Sequence, residues 1–328
     1  MVRVKGKENT TLDVCKELAC VIVTTAHLPS LFTSEVGHVY FNEWYLRFCV
    51  PFFFVCSGYF FEKASDKRKP LKRMAWLMAL CYTLYLPAVL EGAEGISGVI
   101  SKLRWNLVFG YEHLWYLNAA MEGMLAWYLL EKIPTVKKGL RKLAVPGSIL
   151  LMLAGALLDE HYLLIDNGVV RAAGAFLSAF GGPRNALFMG LPLLLLGGAM
   201  ARYEDTVRRV PAWALVVLWV VLRALAYWEC GYLYENLGPT ISCDLTFFGC
   251  WPALCLFALS GKFQLPIPVR LAKCLRRMTE YVYILHPLIA ALITKYLPLA
   301  PVPLWLGTVA LCGAVYLLLE KQFAIKQA

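Results

Sequence analysis

Residues 12–32 read LDVCKELACVIVTTAHLPSLF, a largely apolar run of the length a bilayer-crossing helix needs, roughly 20 residues. His27 lies in the last third of that run, where an ionisable side chain is expensive to keep in lipid and marks a functional site by default. Lys16 precedes it by eleven positions. At about 100° per residue the two return to nearly the same helix face, about 16 Å apart along the axis, so a base and a cation share one stripe.

The rest of the chain follows the first segment. Its 328 residues are 59% hydrophobic and 16% charged, with a mean hydropathy of +0.59, which fits no ordinary soluble domain. The expected fold is all-α: a polytopic integral membrane protein with about ten transmembrane helices, near 12–31, 43–61, 71–90, 112–131, 143–158, 184–201, 211–229, 241–260, 278–297 and 301–320, each near the length a span requires. Residues 1–328 are read as one membrane-embedded domain, without an appended soluble domain or an internal repeat. The stretch 168–182 is apolar enough to dip into the interface without crossing. Residues 91–111 place Ile96, Val99, Ile100, Leu103 and Leu107 at the spacing of an amphipathic helix lying on the outer face, as a lid or an interfacial anchor.

Lys and Arg test that count, because cytoplasmic loops are enriched in both. Alternate connections and the two ends hold 25 of them, from Arg3, Lys5 and Lys7 through Lys63, Lys67, Arg68, Lys69, Lys72 and Arg73 to Lys321 and Lys326. The opposite loops hold Lys102, Arg104, Arg171 and Arg184. Both termini are therefore expected in the cytoplasm. The net charge of +10 follows from topology and from attraction to anionic lipid heads, which removes the need for a nucleic-acid partner. The first helix is expected to be retained, since it lacks the order of a cleavable signal peptide.

Eleven cysteines form no Cys-x-x-Cys pair and read as small packing residues rather than metal ligands. Cys230 and Cys243 flank an external loop and are the pair placed to form a bridge in an oxidising compartment. Gly181, Gly182, Gly190, Gly197 and Gly198 mark close helix packing around the sixth span, against this chain or another. Arg223, deep in the seventh span, needs a partner, for which Glu229 and Asp244 are the candidates. In the second span, Arg47 can snorkel to the headgroups, while a kink at Pro51 would free a carbonyl and open a polar cavity beside His27.

Four segments carry a family resemblance: TTAH at 24–27, RFCVPFFFVCSGYFF at 47–61, HLWYL at 113–117 and YVYILHPLI at 281–289. With them the chain resembles the bacterial membrane-bound acyltransferase family 3, the O-acetylases of envelope glycans. PRNALFMGLPLLLLGGAM from Pro183 resembles the variant in the membrane half of vancomycin-resistance serine racemases. One departure is Lys16, where the family commonly has arginine; lysine keeps the charge and loses the planar fork.

The resemblance implies an O-acyltransferase of the inner (cytoplasmic) membrane. It would move an acetyl or similar short acyl group from cytoplasmic acetyl-CoA to a hydroxyl of an envelope glycan or another exported acceptor. No permanently bound cofactor and no metal are expected. Such transfer needs a base for the hydroxyl proton and donors for the developing oxyanion. His27 is assigned as base, Arg47 as the stabiliser of negative charge, and Glu35 or Glu43 as an orienter of the imidazole. Lys16, Lys72 and Arg73 are the candidates for the coenzyme A phosphates, against the reading that they only follow the positive-inside rule.

Ser57, Tyr59, His113, Trp115, Glu122 and His286 are candidates to line the substrate cavity, with Glu280 beside them. His113 and its aromatic neighbours equally suit an interfacial belt, and His286, just before Pro287, equally suits a hydrogen bond to a carbonyl freed by the proline. The competing function is binding or transport of serine or another small amino acid, in which the same cavity works without covalent chemistry.

Overall fold

The structure, a computed structural model, describes residues 3–4, 7–29, 31, 32, 34, 37, 41, 46–239 and 241–327, with side chains between 9 and 320. Glu35, His38 and Glu43 lie outside the described residues. A two-residue antiparallel pair, β1 (Arg3–Val4) with β2 (Lys7–Glu8), precedes an otherwise helical chain. The helices are α1 (Thr10–Val23), α2 (Cys49–Lys63), α3 (Arg68–Val89), α4 (Gly95–Phe109), α5 (Trp115–Leu130), α6 (Pro134–Leu158) and α7 (Gly168–Ala179), then α8 (Leu191–Arg202), α9 (Glu204–Arg209), α10 (Ala212–Leu237), α11 (Pro252–Ser260), α12 (Val269–Tyr296) and α13 (Pro301–Gln327). They group into two compact units, residues 1–50 with 257–328, and residues 51–256.

Among the described residues, α6, α10 and the stretch Pro301–Glu320 of α13 are long and apolar enough to cross a bilayer by length and composition. Their surfaces agree with an apolar solvent. Trp213 on α10 is 71% exposed and Leu150 on α6 is 67% exposed, an outward-facing payload that water would disfavour. On α4, Ile96, Ile100 and Leu107 are exposed and no residue of the helix is buried. The twelve residues of α7 are too few to cross.

Two expectations change. Pro51 falls in the first turn of α2, where a missing N–H removes no helical bond, so the expected kink is not formed there. The eighth expected span, 241–260, is helical only from Pro252 to Ser260. Its first half is irregular because carboxylates in the same unit capture its backbone: Asp159 accepts from Leu245 N at 2.9 Å, Glu160 from Ser242 N at 2.9 Å, and Glu229 from Phe247 N and Phe248 N at 2.7 and 3.0 Å. His161 Nε2 lies 3.0 Å from the same Glu229, and Arg184 pairs with Asp244 at 2.7 Å. Irregular backbone is tolerated at membrane depth where protein buries and satisfies it, and Cys243, Leu245, Thr246 and Cys250 are all buried. The Cys230 and Cys243 sulfurs, both thiols, lie 3.3 Å apart beneath this clasp.

The core of the unit 51–256 is a close contact of α2, α5 and α8 through glycines. A Cβ on Gly58 would strike the backbone of Leu194, and one on Gly197 the backbone of Val55. Gly190, in the π-helical turn before α8, meets Ala119, and Gly198 meets the Trp127 ring. Gly181 and Gly182 have a different use: both have positive φ, 81° and 72°, the left-handed conformation that glycine adopts without steric penalty.

Ion pairs fasten the ends of the same helices. Glu204 on α9 takes Lys63 at 2.9 Å, Arg208 at 2.6 Å and the Tyr59 hydroxyl at 2.9 Å. Lys67 joins Glu62 and Glu131, and Arg202 reaches Glu62 at 3.4 Å. Burial opposes ionisation of Glu204, but the hydrogen bonds from Lys63, Arg208 and Tyr59 outweigh it and hold its carboxyl down at about 2.

Two outcomes are expected. Gly58→Ala and Gly197→Ala each lower stability by about 1–3 kcal/mol or more through overpacking, whereas Gly139→Ala and Gly147→Ala, with open space around them, do not; thermal unfolding in detergent micelles measures both. The Glu204 cluster has a carboxyl depressed from 4.5 to about 2, so its contribution is complete above pH 4.5 and is lost as pH falls toward 2. Glu204→Gln therefore shallows the acid limb of unfolding temperature against pH, and an unchanged limb would refute the linkage.

Candidate functional site

The unit formed by residues 1–50 and 257–328 holds His27, Arg47, Lys16 and His286. Asn9 caps α1 by accepting from Leu12 N at 2.9 Å, while its amide nitrogen donates to Ser260 O at 2.9 Å. Thr10 Oγ1 reaches Gln264 Oε1 at 2.8 Å and Thr11 Oγ1 reaches Phe263 O at 2.7 Å. With its start tied in this way, α1 runs fourteen residues and tightens into a 3₁₀ turn, Thr24–His27. Thr24 and Thr25 donate their hydroxyls back to Val21 O and Ile22 O, each at 2.7 Å, a bonding pattern that favours such a turn over further α-helix. Helix and turn together rise about 29 Å, close to the hydrocarbon thickness of a bilayer, about 30 Å.

Along α1 and the 3₁₀ turn that continues it, the residues Asp13, Glu17, Cys20, Thr24 and His27 recur at three- and four-residue intervals, so they share a face. That face meets α12 and α13. Asp13 pairs with Arg276 at 3.7 Å. Glu17 Oε2 accepts the Thr279 hydroxyl at 2.6 Å, and the Cys20 thiol donates to Thr279 O at 3.5 Å. Trp305 Nε1 donates to Thr24 Oγ1 at 2.9 Å. At the end of the stripe the His27 and His286 rings stand 5.1 Å apart, centroid to centroid, at 55°.

Chemistry fixes the tautomer of His286. Its Nδ1 lies 2.8 Å from Val282 O and 3.1 Å from Tyr283 O, and a carbonyl oxygen only accepts, so Nδ1 carries the proton. Tyr283 O is the carbonyl that Pro287, lacking an N–H, leaves without its helical donor. In the neutral ring Nε2 is then the acceptor. The side chain is 2% exposed and His27 is half-buried, so the pair presents one fixed imidazole and one accessible imidazole. Arg47 is half-buried in the turn ahead of α2, and Lys16 is half-buried on α1.

The remaining described candidates, Glu280 apart, belong to the unit 51–256. Ser57 Oγ lies 3.3 Å from the Tyr116 hydroxyl, and Phe54 packs its ring at 4.7 Å from that of Tyr116. The RFCVPFFFVCSGYFF and HLWYL segments thus meet there, as TTAH meets YVYILHPLI in the other unit. Tyr59 is turned to Glu204. His113 is 3% exposed, 4.8 Å from the Tyr85 ring, whereas a belt residue would face lipid. Trp115 carries the Arg184 guanidinium over its face at 5.7 Å. Lys72, Arg73 and Glu122 are exposed, as is Glu280 on α12. Arg223 is buried on α10. No group of three or more metal-ligating side chains lies among the described residues.

Glu17 and Thr279 do not figure among the residues read from the sequence as candidates. Glu17 stands beside Lys16 near the start of the span, where charges are ordinary; the signal for it was its place on the stripe that ends at His27.

The family model described as an acyltransferase domain, family 3, matches residues 9–319. An amino-acid racemase of Enterococcus faecalis is 26% identical over 223 residues, covering 62% of this chain and 30% of that protein. A serine/alanine racemase of Enterococcus gallinarum is 26% identical over 297 residues, 85% of this chain and 40% of that protein. The chain thus spans less than half the length of these curated relatives. No solved structure matches it significantly.

The His286 geometry makes a prediction of its own. His286→Leu leaves the Tyr283 carbonyl without its donor and lowers stability by about 1–3 kcal/mol, while His286→Asn, which keeps an N–H, loses less; an unfolding midpoint in micelles that does not move for the leucine variant refutes the assignment.

Proposed function

The chain belongs to acyltransferase family 3, an enzyme family whose members transfer acyl groups other than aminoacyl groups, and on that premise we propose a reaction and a place for it. The protein is an O-acyltransferase of the inner (cytoplasmic) membrane with about ten spans and both termini in the cytoplasm. It takes a short acyl group, acetyl in the first instance, from a cytoplasmic acyl-CoA and delivers it to a hydroxyl of an envelope glycan or another exported acceptor. The observation that carries this reading is the His27–His286 pair at the end of the α1 stripe.

His27 removes the acceptor's hydroxyl proton as the oxygen attacks the thioester carbonyl. The new C–O bond forms, the C–S bond breaks, and the thiolate takes up a proton, so no electrons are exchanged with a third partner. A histidine, unperturbed near pKa 6.5, suits the proton step near neutral pH. His286, with Nδ1–H committed to two carbonyls, offers Nε2 as an acceptor that orients the His27 ring, beside Glu35 or Glu43, which stay candidates for the same role. Arg47 holds the negative charge that develops on the carbonyl oxygen. Lys16, Lys72 and Arg73 supply positive charge for the coenzyme A phosphates, and Ser57, Tyr59, His113, Trp115 and Glu122 remain the cavity candidates.

A second reading has its own support: both relatives are named as racemases of amino acids, serine and alanine in one case. Here the chain binds or transports serine or a similar small amino acid. Purified protein in lipid, given acetyl-coenzyme A labelled in the acetyl group and an envelope extract, separates the two. Transfer of label that falls about 10²- to 10⁴-fold in His27→Ala supports the acyltransferase. Absence of transfer by wild type across several acyl donors, with labelled serine accumulating in sealed vesicles, supports transport.

A further inference from the structure

In the unit 51–256 two sulfurs face each other beneath the carboxylate clasp. Cys230 on α10 and Cys243 in the irregular segment are 0% and 3% exposed, and their thiols lie 3.3 Å apart. A disulfide spans about 2.05 Å, so each sulfur has to move by less than about 1 Å to close one. Cys230 stands in the last third of α10, far along the helix from Arg208 and Arg209, at the end that the positive-inside distribution assigns to the exported side. Disulfides form and persist in oxidising compartments outside the cytoplasm.

The backbone is held for this contact. Cys243 has φ 46°, a left-handed conformation that a residue with a Cβ adopts at a cost and keeps only where its surroundings over-determine it. Such surroundings are present on both sides. Ser242 gives its N–H and its hydroxyl to Glu160 Oε1, each at 2.9 Å, and Leu245 gives its N–H to Asp159 at 2.9 Å. Glu229, next to Cys230, takes the N–H groups of Phe247 and Phe248. Asp244, next to Cys243, takes Arg184, whose guanidinium lies over Trp115 of the HLWYL segment. Polar contacts thus fix a residue beside each cysteine, and the two side chains meet as a result.

We propose that Cys230 and Cys243 are an oxidation site: on the exported side they form a cystine that closes the loop between them and fastens the irregular segment to α10. Two S–H bonds break and one S–S bond forms. The two electrons and two protons pass to the disulfide of an exported thiol oxidoreductase, which leaves as a dithiol. In the chain-entropy account the bond acts on the unfolded chain, by removing freedom from a loop that polar contacts alone hold in the folded one. Once the segment is in place, burial denies an attacking thiolate the access that exchange requires, so the cystine is a permanent staple rather than a switch. The inference rests on the proposed orientation, with both termini in the cytoplasm, and is independent of the reaction.

The test counts thiols in the full chain, expressed in a bacterial host whose exported compartment oxidises thiols. Cells are quenched in acid, and the protein is unfolded in dodecyl sulfate with a polyethylene-glycol maleimide, with and without prior reduction by a phosphine. Without reduction two of the eleven cysteines stay unlabelled; after it all are labelled. In Cys230→Ser and in Cys243→Ser every remaining cysteine is labelled without reduction, whereas Cys81→Ser on α3 leaves two unlabelled, as wild type does. Each of the first two variants unfolds several degrees below wild type in micelles, and the double variant unfolds no lower than either, because there is one bridge to lose. Unchanged unfolding temperatures overturn the fastening role. Full labelling of wild type without reduction overturns the cystine, and purified, reduced protein given oxidised glutathione then tells why. A bridge that forms there puts the error in the orientation; full labelling there as well puts it in the contact between the two sulfurs.

Discussion

A polar group that enters a bilayer has no water to turn to, so its partner must come from the chain itself. That constraint orders the structure. It puts Asn9 against Ser260 and Glu17 against Thr279. It makes His286 answer the carbonyl that Pro287 vacates, and it allows residues 242–248 to leave the helix because Asp159, Glu160 and Glu229 receive their N–H groups. The polar residues of this apolar chain are thereby gathered into a few dense places.

One of those places is the α1 stripe. Its residues are spaced as a helix face requires, and α12 matches it with Arg276, Thr279, Tyr283 and His286 at complementary intervals. The four segments by which the chain resembles its family sort in the same way. Each contains aromatic or hydroxyl groups that meet another of the four, the first with the last and the second with the third. The distance in sequence between His27 and His286 is closed by packing of α12 onto α1, which the apolar pattern of either helix alone does not specify.

Most helices were legible in the sequence because long apolar runs have few alternatives in lipid, and α7 and α4 were legible by length and spacing. The bond that Nδ1 of His286 makes to Tyr283 O was readable from the adjacent proline. The irregular half of the eighth segment was not: its apolar composition suits a helix, and the decisive carboxylates lie far off in sequence on other elements. The kink assigned to Pro51 required knowing where α2 starts. Glu17 was hidden by its neighbours, since Asp13, Lys16 and Glu17 together look like the charged flank of a span, and only the contact with Thr279 separates a buried carboxyl from a solvated one.

The glycine contacts among α2, α5 and α8 bear on mobility. Helices that touch backbone to backbone have no layer of side chains to slide on or repack, and a shift of even an ångström meets main-chain atoms at Gly58, Gly190 and Gly197. Any breathing of this unit therefore carries these three helices as one stiff body. The compliance must reside in contacts made through long side chains, which can change rotamer and still fill space.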